Sequence, residues 1–382
     1  MTKPIIVDLF SGCGGFGLGA ELAGFHSKVA IDIDPDLQSA YRLNFPNTQA
    51  VISDISIMTA ESWRFLLGNA NVDGVIGGPP CQGFSRIGKN DKKDPRRELM
   101  HHFFRTVNII KPKFFVMENV EGLLDKGNVE GLLDAIETVD PCYTVLDPIV
   151  VDASLYGVPT KRKRVVVIGF DASRMDTITS EDITTTNIPA VTVKQAISDL
   201  PSPVEVIKGN EEFGWARYTS KNISNYAKLM RSPPPKGMGS ELAKKMMAAK
   251  MVSGVFDTVH TDIVKERFSE TLQGKVEPIS RYPRLKSDGH CPTLRAGTGK
   301  DRGNFQAMRP IHPDEPRVIT VREAARLQGF PDWFLFHRTK WHSFRMIGNS
   351  VCPLLSKEIF ERIKPKLEKE KKKKYLEKIK DQ

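Results

Sequence analysis

The chain has 382 residues, of which 40% are hydrophobic and 27% charged, a balance typical of a globular protein with a sizeable core. No apolar run approaches the roughly 18 to 20 residues that a membrane span requires, and the N-terminus shows no export signal. Five cysteines without a Cys-x-x-Cys pair favour reduced thiols in the cytoplasm over a disulfide framework or a zinc site. The net charge of +10 favours a polyanionic partner, although many basic proteins bind none.

The first half of the chain alternates apolar runs with helical patterns. Turn residues bound the runs, which predict strands at residues 5–10, 28–33, 51–54, 72–77, 114–118 and 164–170. Helical periodicity predicts helices up to about residue 24 and at residues 35–43, 97–110 and 129–139. This alternation predicts an α/β fold with a doubly wound, Rossmann-like domain, in which helices cover both faces of a parallel sheet.

The pattern changes near residue 171 and becomes irregular, with prolines, isolated aromatic residues and a helix predicted at residues 241–251. A regular helix resumes at residues 320–328, because Thr320 and Glu323 form a Thr-x-x-Glu capping box. A turn followed by a helix is expected at residues 348–364.

These changes predict three segments. Residues 1–184 form the first part of the main domain, and residues 185–315 form a smaller second domain whose variable core spans about 185–280. Residues 316–382 return to the main domain and end in a basic tail, in which residues 364–382 hold nine lysines against four acidic residues. The tail is more typical of a solvated helix end than of a specific site.

A glycine-rich turn follows the first predicted strand. Gly12, Gly14 and Gly17 spell G-x-G-x-x-G, and Asp32 stands at the end of the second strand. Such glycines let the backbone approach a cofactor, and such an acid can hold ribose hydroxyls. The pattern fits a dinucleotide, S-adenosylmethionine or a tight turn without a ligand. Asp54, after the third strand, suits either an adenine amino group or a helix N-cap.

Cys81 lies in the sequence Gly-Gly-Pro-Pro-Cys-Gln-Gly-Phe-Ser, which again follows a predicted strand. Two prolines stiffen the loop and hold the thiol in place, as a covalent mechanism requires. A methyltransferase that modifies an amino group would need an aromatic residue here to stack the target base. The alternative is a buried structural cysteine in a proline turn.

Glu118 ends the strand at residues 114–118. A glutamic acid that is protonated at least transiently can serve both the N3 and the amino group of a cytosine, and burial would raise its pKa accordingly. The alternative is a helix cap or an ion pair.

Arg162 and Arg164 stand at alternate positions, which in a strand share one face. Two guanidiniums on one face suit phosphate or an electron-rich base oxygen, although a solvated basic run is the commoner outcome. Near the C-terminus, the Gly-Asn pair Gly348 and Asn349 predicts a turn that can close over a cofactor.

Together, in order and spacing, these motifs resemble those of the 5-cytosine DNA methyltransferase family. The turn at residues 8–19 resembles the family's cofactor loop, and residues 78–82 resemble its catalytic loop. Glu118-Asn119-Val120 matches its Glu-Asn-Val, and Arg162 and Arg164 match the arginines of its Gln-x-Arg-x-Arg.

The resemblance continues in the last part of the chain. Residues 317–330 resemble the helix that supports the recognition domain, and residues 348–351 resemble the final motif, which returns to the cofactor pocket. The whole resemblance covers about residues 4–170 and 281–360. Thr160 stands where the family usually has Gln, in the loop that supports the arginines, and Cys352 stands where proline is common.

The resemblance implies a covalent mechanism on a cytosine that is flipped out of a DNA duplex. Cys81 adds to C6, Glu118 holds the N3 and amino edge, and Arg162 stabilises the ring oxygen or the loop, with Arg164 beside it. C5 then takes the methyl group of S-adenosylmethionine, and loss of the C5 proton and of Cys81 gives 5-methylcytosine. The sequence does not identify the base that accepts this proton.

The resemblance also assigns residues to S-adenosylmethionine, and no metal ion is expected. They lie in the glycine loop, at two strand ends, before Cys81 and in the final motif: Phe10, Ser11, Gly12, Cys13, Gly14, Gly15, Asp32, Ile33, Asp54, Ile55, Pro80, Asn349 and Ser350.

The implied partner is double-stranded DNA. The variable core would read it from the major groove, while lysines and arginines bind phosphates. The lack of a large N-terminal regulatory region resembles stand-alone prokaryotic enzymes, which are often paired genetically with a restriction endonuclease. We expect a monomer on DNA, with no membrane partner.

Three other functions fit part of the pattern. An RNA cytosine methyltransferase that acts on transfer RNA shares the catalytic motifs, although the long variable region favours DNA. A nucleotide-dependent oxidoreductase would explain G-x-G-x-x-G and Asp32 but not Cys81 or Glu118. A relative that binds DNA without catalysis is disfavoured because Cys81, Glu118 and Arg162 are all present.

Overall fold

The computed structural model describes residues 3–80, 98–205, 213–221, 223–296 and 309–368. The strands of these residues are, in chain order, β1 (Ile5–Leu9), β2 (His26–Asp32), β3 (Gln49–Ile52), β4 (Gly74–Gly77), β5 (Phe114–Val120), β6 (Tyr143–Val145), β7 (Ile149–Asp152), β8 (Thr160–Lys161), β9 (Lys163–Asp171), β10 (Ala216–Arg217), β11 (Met251–Val252) and β12 (Cys291–Pro292).

The helices of the described residues follow the same order. They are α1 (Gly15–Leu22), α2 (Pro35–Asn44), α3 (Ala60–Leu67), α4 (Glu98–Ile110), α5 (Val129–Glu137), α6 (Ser180–Thr184), α7 (Val193–Ile197), α8 (Asn225–Met230), α9 (Glu241–Ala248), α10 (Asp262–Glu270), α11 (Val321–Leu327), α12 (Lys340–Asn349) and α13 (Pro353–Ile363). No helix in this part of the chain is both long and apolar enough to cross a membrane.

Eight strands form the central sheet, in the order β3-β2-β1-β4-β5-β9-β6, with β7 also paired to β9. Strands β1 to β5 are mutually parallel, as the alternation of strands and helices predicted. The prediction of a wholly parallel sheet is wrong for β9, which runs antiparallel to β5, β6 and β7. The segment between β7 and β9 is too short for a crossover helix, so it returns the chain in the opposite direction.

Helices cover both faces of the sheet, which confirms the doubly wound α/β arrangement. Alternate residues of β5 point to opposite sides, so Phe114 and Val116 join one buried cluster while Phe115 and Met117 join the other. On the first face, α1 packs against α13. On the second face, α3, α4 and α5 supply the cover, with buried residues such as Phe103.

The chain returns to its beginning through α13. The ring of Phe360 lies 5.6 Å from that of Phe16 and 5.3 Å from that of Phe25. The two helices approach so closely that a Cβ on Gly19 would lie 2.3 Å from the side chain of Ser356. This packing places the segment that precedes α13 beside the glycine loop that precedes α1.

Helix α11 joins the sheet domain to the irregular segment. The capping box of Thr320 and Glu323 is present at its start, as predicted. Arg326 is fully buried, and its guanidinium donates hydrogen bonds to Asp332 at 2.6 Å and to Asp199 at 2.9 Å. Asp199 belongs to the irregular segment and also accepts from Arg231. These paired charges fix the irregular segment against α11.

Element bounds depart from the sequence predictions most clearly in three places. The predicted strand at 51–54 is shifted to β3, because Asp54 instead caps a 3-10 helix at Ile55–Ile57. The helix predicted at 241–251 ends at Ala248, and Met251 begins β11. Gly348 and Asn349 do not form a turn but complete α12, and the chain bends at Ser350 before α13 begins.

Candidate functional site

A cavity of about 730 Å³ lies at the carboxyl ends of β1 to β5. Open α/β sheets bind their ligands at this edge. The cavity is lined by every described residue that the sequence assigned to cofactor or chemistry, with the exception of Gly14: Phe10, Ser11, Gly12, Cys13, Gly15, Asp32, Ile33, Asp54, Ile55, Pro80, Glu118, Arg162, Arg164, Asn349 and Ser350. Cys81 lies outside the described residues.

The glycine loop forms one wall of the cavity. Gly12 adopts the left-handed conformation with a φ of 54°, and a Cβ on it would meet no protein atom within 4 Å. The open space beyond Gly12 therefore lets a ligand approach the backbone. Gly14 has a φ of 98°, but a Cβ there would strike the ring of Phe45 at 2.5 Å. Gly14 thus serves the packing of the turn rather than the cavity wall.

Asp32 fixes this loop from the end of β2. Its Oδ2 accepts the N–H of Gly12 at 2.8 Å, and its Oδ1 accepts the N–H of Asp34 at 2.8 Å. Burial raises the pKa of Asp32, while these two N–H groups act in the opposite direction. The carboxylate therefore holds the loop in shape at the cavity wall.

Asp54 caps a short helix, one of the two roles that the sequence left open, and it also lines the cavity. Its Oδ1 accepts the N–H of Ser56 at 2.8 Å and caps the 3-10 helix, and its side chain also lines the cavity. Hydrogen bonds from Ser56 lower the pKa of Asp54, so it is an anionic acceptor on this wall.

Asp8 was not singled out by the sequence, although it is the most confined acid of the cavity. It is fully buried, and the hydroxyl of Tyr41 donates to its Oδ2 at 3.3 Å. Its Oδ1 has no hydrogen-bond partner among the described residues. Burial raises the pKa of Asp8 to about 8. An unpartnered carboxyl oxygen beneath the glycine loop is the arrangement expected where a ligand supplies the missing hydrogen-bond partner.

Glu118 stands at the opposite wall, at the end of β5. It is 9% exposed, and the Nε of Arg164 lies 2.8 Å from its Oε1. Burial raises the pKa of Glu118 in spite of the neighbouring charges of Arg164 and Arg162. A Cβ on Gly78 would lie 3.1 Å from Oε2, so only glycine leaves this carboxyl its full space.

Asn119 connects Glu118 to the segment that leads to Cys81. Its Nδ2 donates to the carbonyl of Pro79 at 3.2 Å, and its Oδ1 accepts the N–H of Val120 at 2.8 Å. The end of β5 therefore holds the main chain two residues before Cys81.

Arg162 and Arg164 both reach the cavity, but they have different partners. Arg162 is buried and donates to the main-chain carbonyls of Leu294, Gly348 and Ser350 at 2.9 to 3.1 Å. Arg162 was expected to stabilise either the ring oxygen of the base or the loop, and this geometry favours the loop. The hydroxyl of Thr160, in place of the usual Gln, donates to the carbonyl of Cys291 at 3.0 Å and supports the same region.

The final motif closes against the glycine loop. A Cβ on Gly15 would lie 2.4 Å from the carbonyl of Val351, and the Sγ of Cys13 lies 3.1 Å from the hydroxyl of Ser350. Asn349 is exposed on this wall at the end of α12. The glycine loop and the final motif therefore line the same cavity, and their common role in binding a cofactor stays a prediction.

Several residues of the cavity wall have no motif that marks them. Leu99 and His102 of α4, Leu37 of α2 and Arg345 of α12 all line it. The helical pattern of α4 predicted the helix but not which face would meet the cavity. Contacts between distant helices decide that, and a single sequence carries no signal for them.

A comparison with known protein families identifies the family of this chain. The sequence profile of the C-5 cytosine-specific DNA methylase family matches residues 5–365. The chain belongs to this family. It is therefore an enzyme of the DNA cytosine-5 methyltransferase class, which implies a DNA substrate and a methyl donor.

Similar proteins support the assignment over nearly the whole length. The Type II methyltransferase M.XorII of Xanthomonas oryzae pv. oryzae is 42% identical over 375 residues, which cover 97% of this chain and 86% of the relative. The Type II methyltransferase M.DdeI of Desulfomicrobium norvegicum is 33% identical, with 94% of this chain and 88% of the relative covered.

Solved structures share the fold. A protein described as a DNA modification methyltransferase encoded within a prophage (E. coli) has a TM-score of 0.86 and 39% identity, with 96% of this chain and all of that chain covered. The S. pombe Dnmt2 methyltransferase has a TM-score of 0.59 at 16% identity, with 96% and 99% covered. The second likeness concerns the fold alone.

Proposed function

We propose that this chain transfers a methyl group from S-adenosylmethionine to C5 of a specific cytosine in duplex DNA, with Cys81 as the nucleophile that adds to C6. The observation that carries the proposal is the buried pair of Glu118 and Arg164 on the wall of the cavity that the glycine loop also lines. A carboxyl suited to a cytosine edge thus shares one cavity with groups suited to the methyl donor.

The residues of the glycine-loop wall fit S-adenosylmethionine, which supplies an electrophilic methyl group when bound. The open space over Gly12 admits a ligand against the backbone. Asp32 would accept ribose hydroxyls, Asp54 would accept the adenine amino group, and Asn349 would close the opposite side. The unpartnered oxygen of Asp8 offers one further buried hydrogen-bonding group.

Glu118 would hold the N3 and amino edge of the flipped cytosine. The raised pKa extends the pH range over which the carboxyl keeps the proton that N3 needs. Arg164 holds Oε1, so the carboxyl has a fixed orientation before the base arrives. Protonation at N3 draws electrons from the ring and makes C6 more open to attack by a thiolate.

The proline loop would place the thiol beside that base. Asn119 anchors Pro79, and Pro80 limits the conformations available between this anchor and Cys81. Arg162 then acts indirectly, since it ties the main chain of the final motif to the same wall.

Methyl transfer from labelled S-adenosylmethionine to mixed-sequence duplex DNA tests the proposal, with digestion of the product to nucleosides. We expect label in 5-methylcytosine for the wild type and none for Cys81→Ala. Cys142→Ala is the matched control, because Cys142 is an exposed thiol away from the cavity. Label on an amino nitrogen, or full activity of Cys81→Ala, would refute the assigned chemistry.

The nucleic acid and the biological setting need separate tests. Transfer RNA offered in place of duplex DNA should remain unlabelled, and the opposite preference would favour the RNA alternative. We further propose that the enzyme is the modification methylase of a restriction-modification system. Plasmid DNA from cells that express it should then resist an endonuclease of the same site, without a physical complex between the two proteins.

Target recognition is assigned to residues 185–315, whose described part consists of short helices and two-residue strands fixed to α11. Exchange of residues 185–280 for those of a relative with another target should change the methylated sequence and preserve methyl transfer. The proposed monomer on DNA predicts one enzyme per duplex in light scattering of the complex.

A further inference from the structure

An ion pair joins two parts of the cavity rim that are distant in sequence. The Nη2 of Arg345, on α12, donates to the Oδ2 of Asp34 at 2.5 Å, just before α2. Both residues line the cavity, yet their side chains are 29% and 19% exposed. The pair therefore lies at the edge of the cavity rather than in its depth.

Asp34 is held rigidly on its side of the rim. Its Oδ1 accepts the N–H groups of Asp36 and Leu37 and so caps α2. Its own N–H donates to Asp32, whose other oxygen holds Gly12. The oxygen that meets Arg345 thus belongs to a carboxylate whose position is fixed by the glycine-loop wall.

Arg345 lies on the opposite side of the rim, on α12. Asn349 follows it by one helical turn and therefore lies on the same face of this helix. A second contact supports the first: the Nε2 of His342 lies 3.4 Å from the Oδ2 of Asp36. Two side chains of α12 therefore reach two acids at the start of α2. Separation of the rim at this edge requires that both contacts break.

We propose that Asp34 and Arg345 form a latch across one edge of the cavity, which sets how long S-adenosylmethionine and its demethylated product stay bound. The proposal rests on the proposed function of the cavity. Both residues are positioning residues: their pair must open when the rim widens and re-form when it closes. Loss of the latch should therefore act mainly on the dissociation rate.

A purely electrostatic role for Arg345 predicts something different. Among the charges near Asp32, Arg345 lowers the pKa of this acid and Asp34 raises it. If the two residues acted only through the charge of Asp32, their removal would have opposite effects on the bound ribose. If they form a latch, removal of either has the same effect.

The variants Asp34→Asn, Arg345→Ala and the double variant test the latch in the full-length enzyme. Asn caps a helix as well as Asp does, so Asp34→Asn removes the charge and retains the cap. Arg362→Ala is the matched control, because Arg362 forms a similarly exposed pair with Glu358 on α13, outside the cavity wall. Thermal unfolding of each variant checks that the fold is retained.

The measurement is the dissociation rate of labelled S-adenosylhomocysteine after displacement by unlabelled compound. Relative to the wild type, we expect dissociation to be about tenfold faster in each single variant and unchanged in Arg362→Ala. The double variant should release the compound no faster than either single variant. The association rate should change less than about twofold. Arg345→Lys should recover part of the slow dissociation because it restores the charge.

Two results would overturn the latch. One is unchanged or slower dissociation in Asp34→Asn, and the other is a double variant whose acceleration equals the product of the two single effects. A wild type that does not bind S-adenosylhomocysteine would instead refute the cofactor assignment itself. The wild-type measurement thus separates failure of the proposed function from failure of the latch.

Discussion

Two groups of buried carboxyls in this protein have opposite properties. Along the cavity, burial raises the pKa of Asp8, Asp32 and Glu118. Beside α11, burial alone would raise the pKa of Glu323 and Asp332 as well, but Arg317 and Arg326 lower them. Degree of burial does not separate the two groups, since Asp8 and Asp332 are both almost completely inaccessible to solvent.

The difference lies in the partners. Arg317 binds both oxygens of Glu323 at 2.8 and 2.9 Å, and Arg326 does the same for Asp332 at 2.6 and 2.7 Å. None of the cavity acids has such a pair: Asp8 has an oxygen without a partner in the described residues, and both oxygens of Asp32 accept neutral main-chain N–H groups. Buried carboxyls bound through both oxygens by one guanidinium hold parts of the fold together, whereas buried carboxyls without such a pair are candidates for a ligand site.

The largest effect on stability is expected from Arg326→Met. The substitution leaves Asp332 buried without its bidentate partner and should lower the free energy of unfolding by about 3 to 5 kcal/mol. Urea denaturation measures the loss. Arg362→Met, which removes a partly exposed pair on α13, should cost less than about 1 kcal/mol. Equal losses in the two variants would contradict the structural role of the α11 cluster.

Glu118→Gln should have the converse effect, on rate rather than on stability. Gln cannot supply the proton to N3 as an acid does, so kcat should fall about a hundredfold while the melting temperature changes little. The control is Glu121→Gln, which alters a half-exposed acid paired with Lys163 at 3.6 Å. A loss of stability without a loss of rate would show that Glu118 has a structural role, like the paired carboxyls beside α11.

Asp8→Asn tests the unpaired acid through the pH dependence of stability. The pKa of Asp8 rises from 3.8 to about 8 on folding, so its stabilising contribution is complete below pH 4 and is lost as the pH rises towards 8. Between about pH 5 and 7.5, the wild type should lose up to about 1.4 kcal/mol per pH unit relative to Asp8→Asn. If the free energies of unfolding of the wild type and of Asp8→Asn changed equally with pH across this range, the raised pKa of Asp8 would be contradicted.

Gly12→Ala gives the smallest expected effect and the most closely matched control. Gly12 and Gly127 have φ values of 54° and 86°, and a Cβ on either would meet no protein atom within 4 Å. Both substitutions should cost about 1 kcal/mol of stability through backbone strain. Only Gly12→Ala should also weaken binding of S-adenosylmethionine, about fivefold, because its methyl group enters the cavity. If isothermal titration calorimetry gave equal affinities for the wild type and Gly12→Ala, the cofactor would not occupy the space beside Gly12.

The regular part of the fold was predictable because its pattern is local. Buried parallel strands require continuous apolar runs, so β1, β2, β4 and β5 were found within a few residues of their bounds. The direction of β9 was not predictable, since strand polarity depends on the connection between β7 and β9. The irregular segment has two-residue strands whose pairing joins residues far apart in sequence, such as Ala216 with Val252.

The sequence by itself determined which residue types meet at the site. Residue type and order placed glycines, acids and the cysteine motif at successive strand ends, and parallel strands bring such ends to one edge. The family match over residues 5–365 agrees with that order.

Only the tertiary structure decided which of these groups are paired. Arg162 and Arg164 are alike in sequence, but Arg162 binds the main chain of the final motif, whereas Arg164 binds Glu118. No sequence motif singles out Asp8, whose burial and missing partner are seen only in the structure. Arg345 binds Asp34 although the two residues are 311 positions apart in sequence. Partners and burial depend on packing between distant elements, and packing is what shifts a pKa and leaves an oxygen free for a ligand.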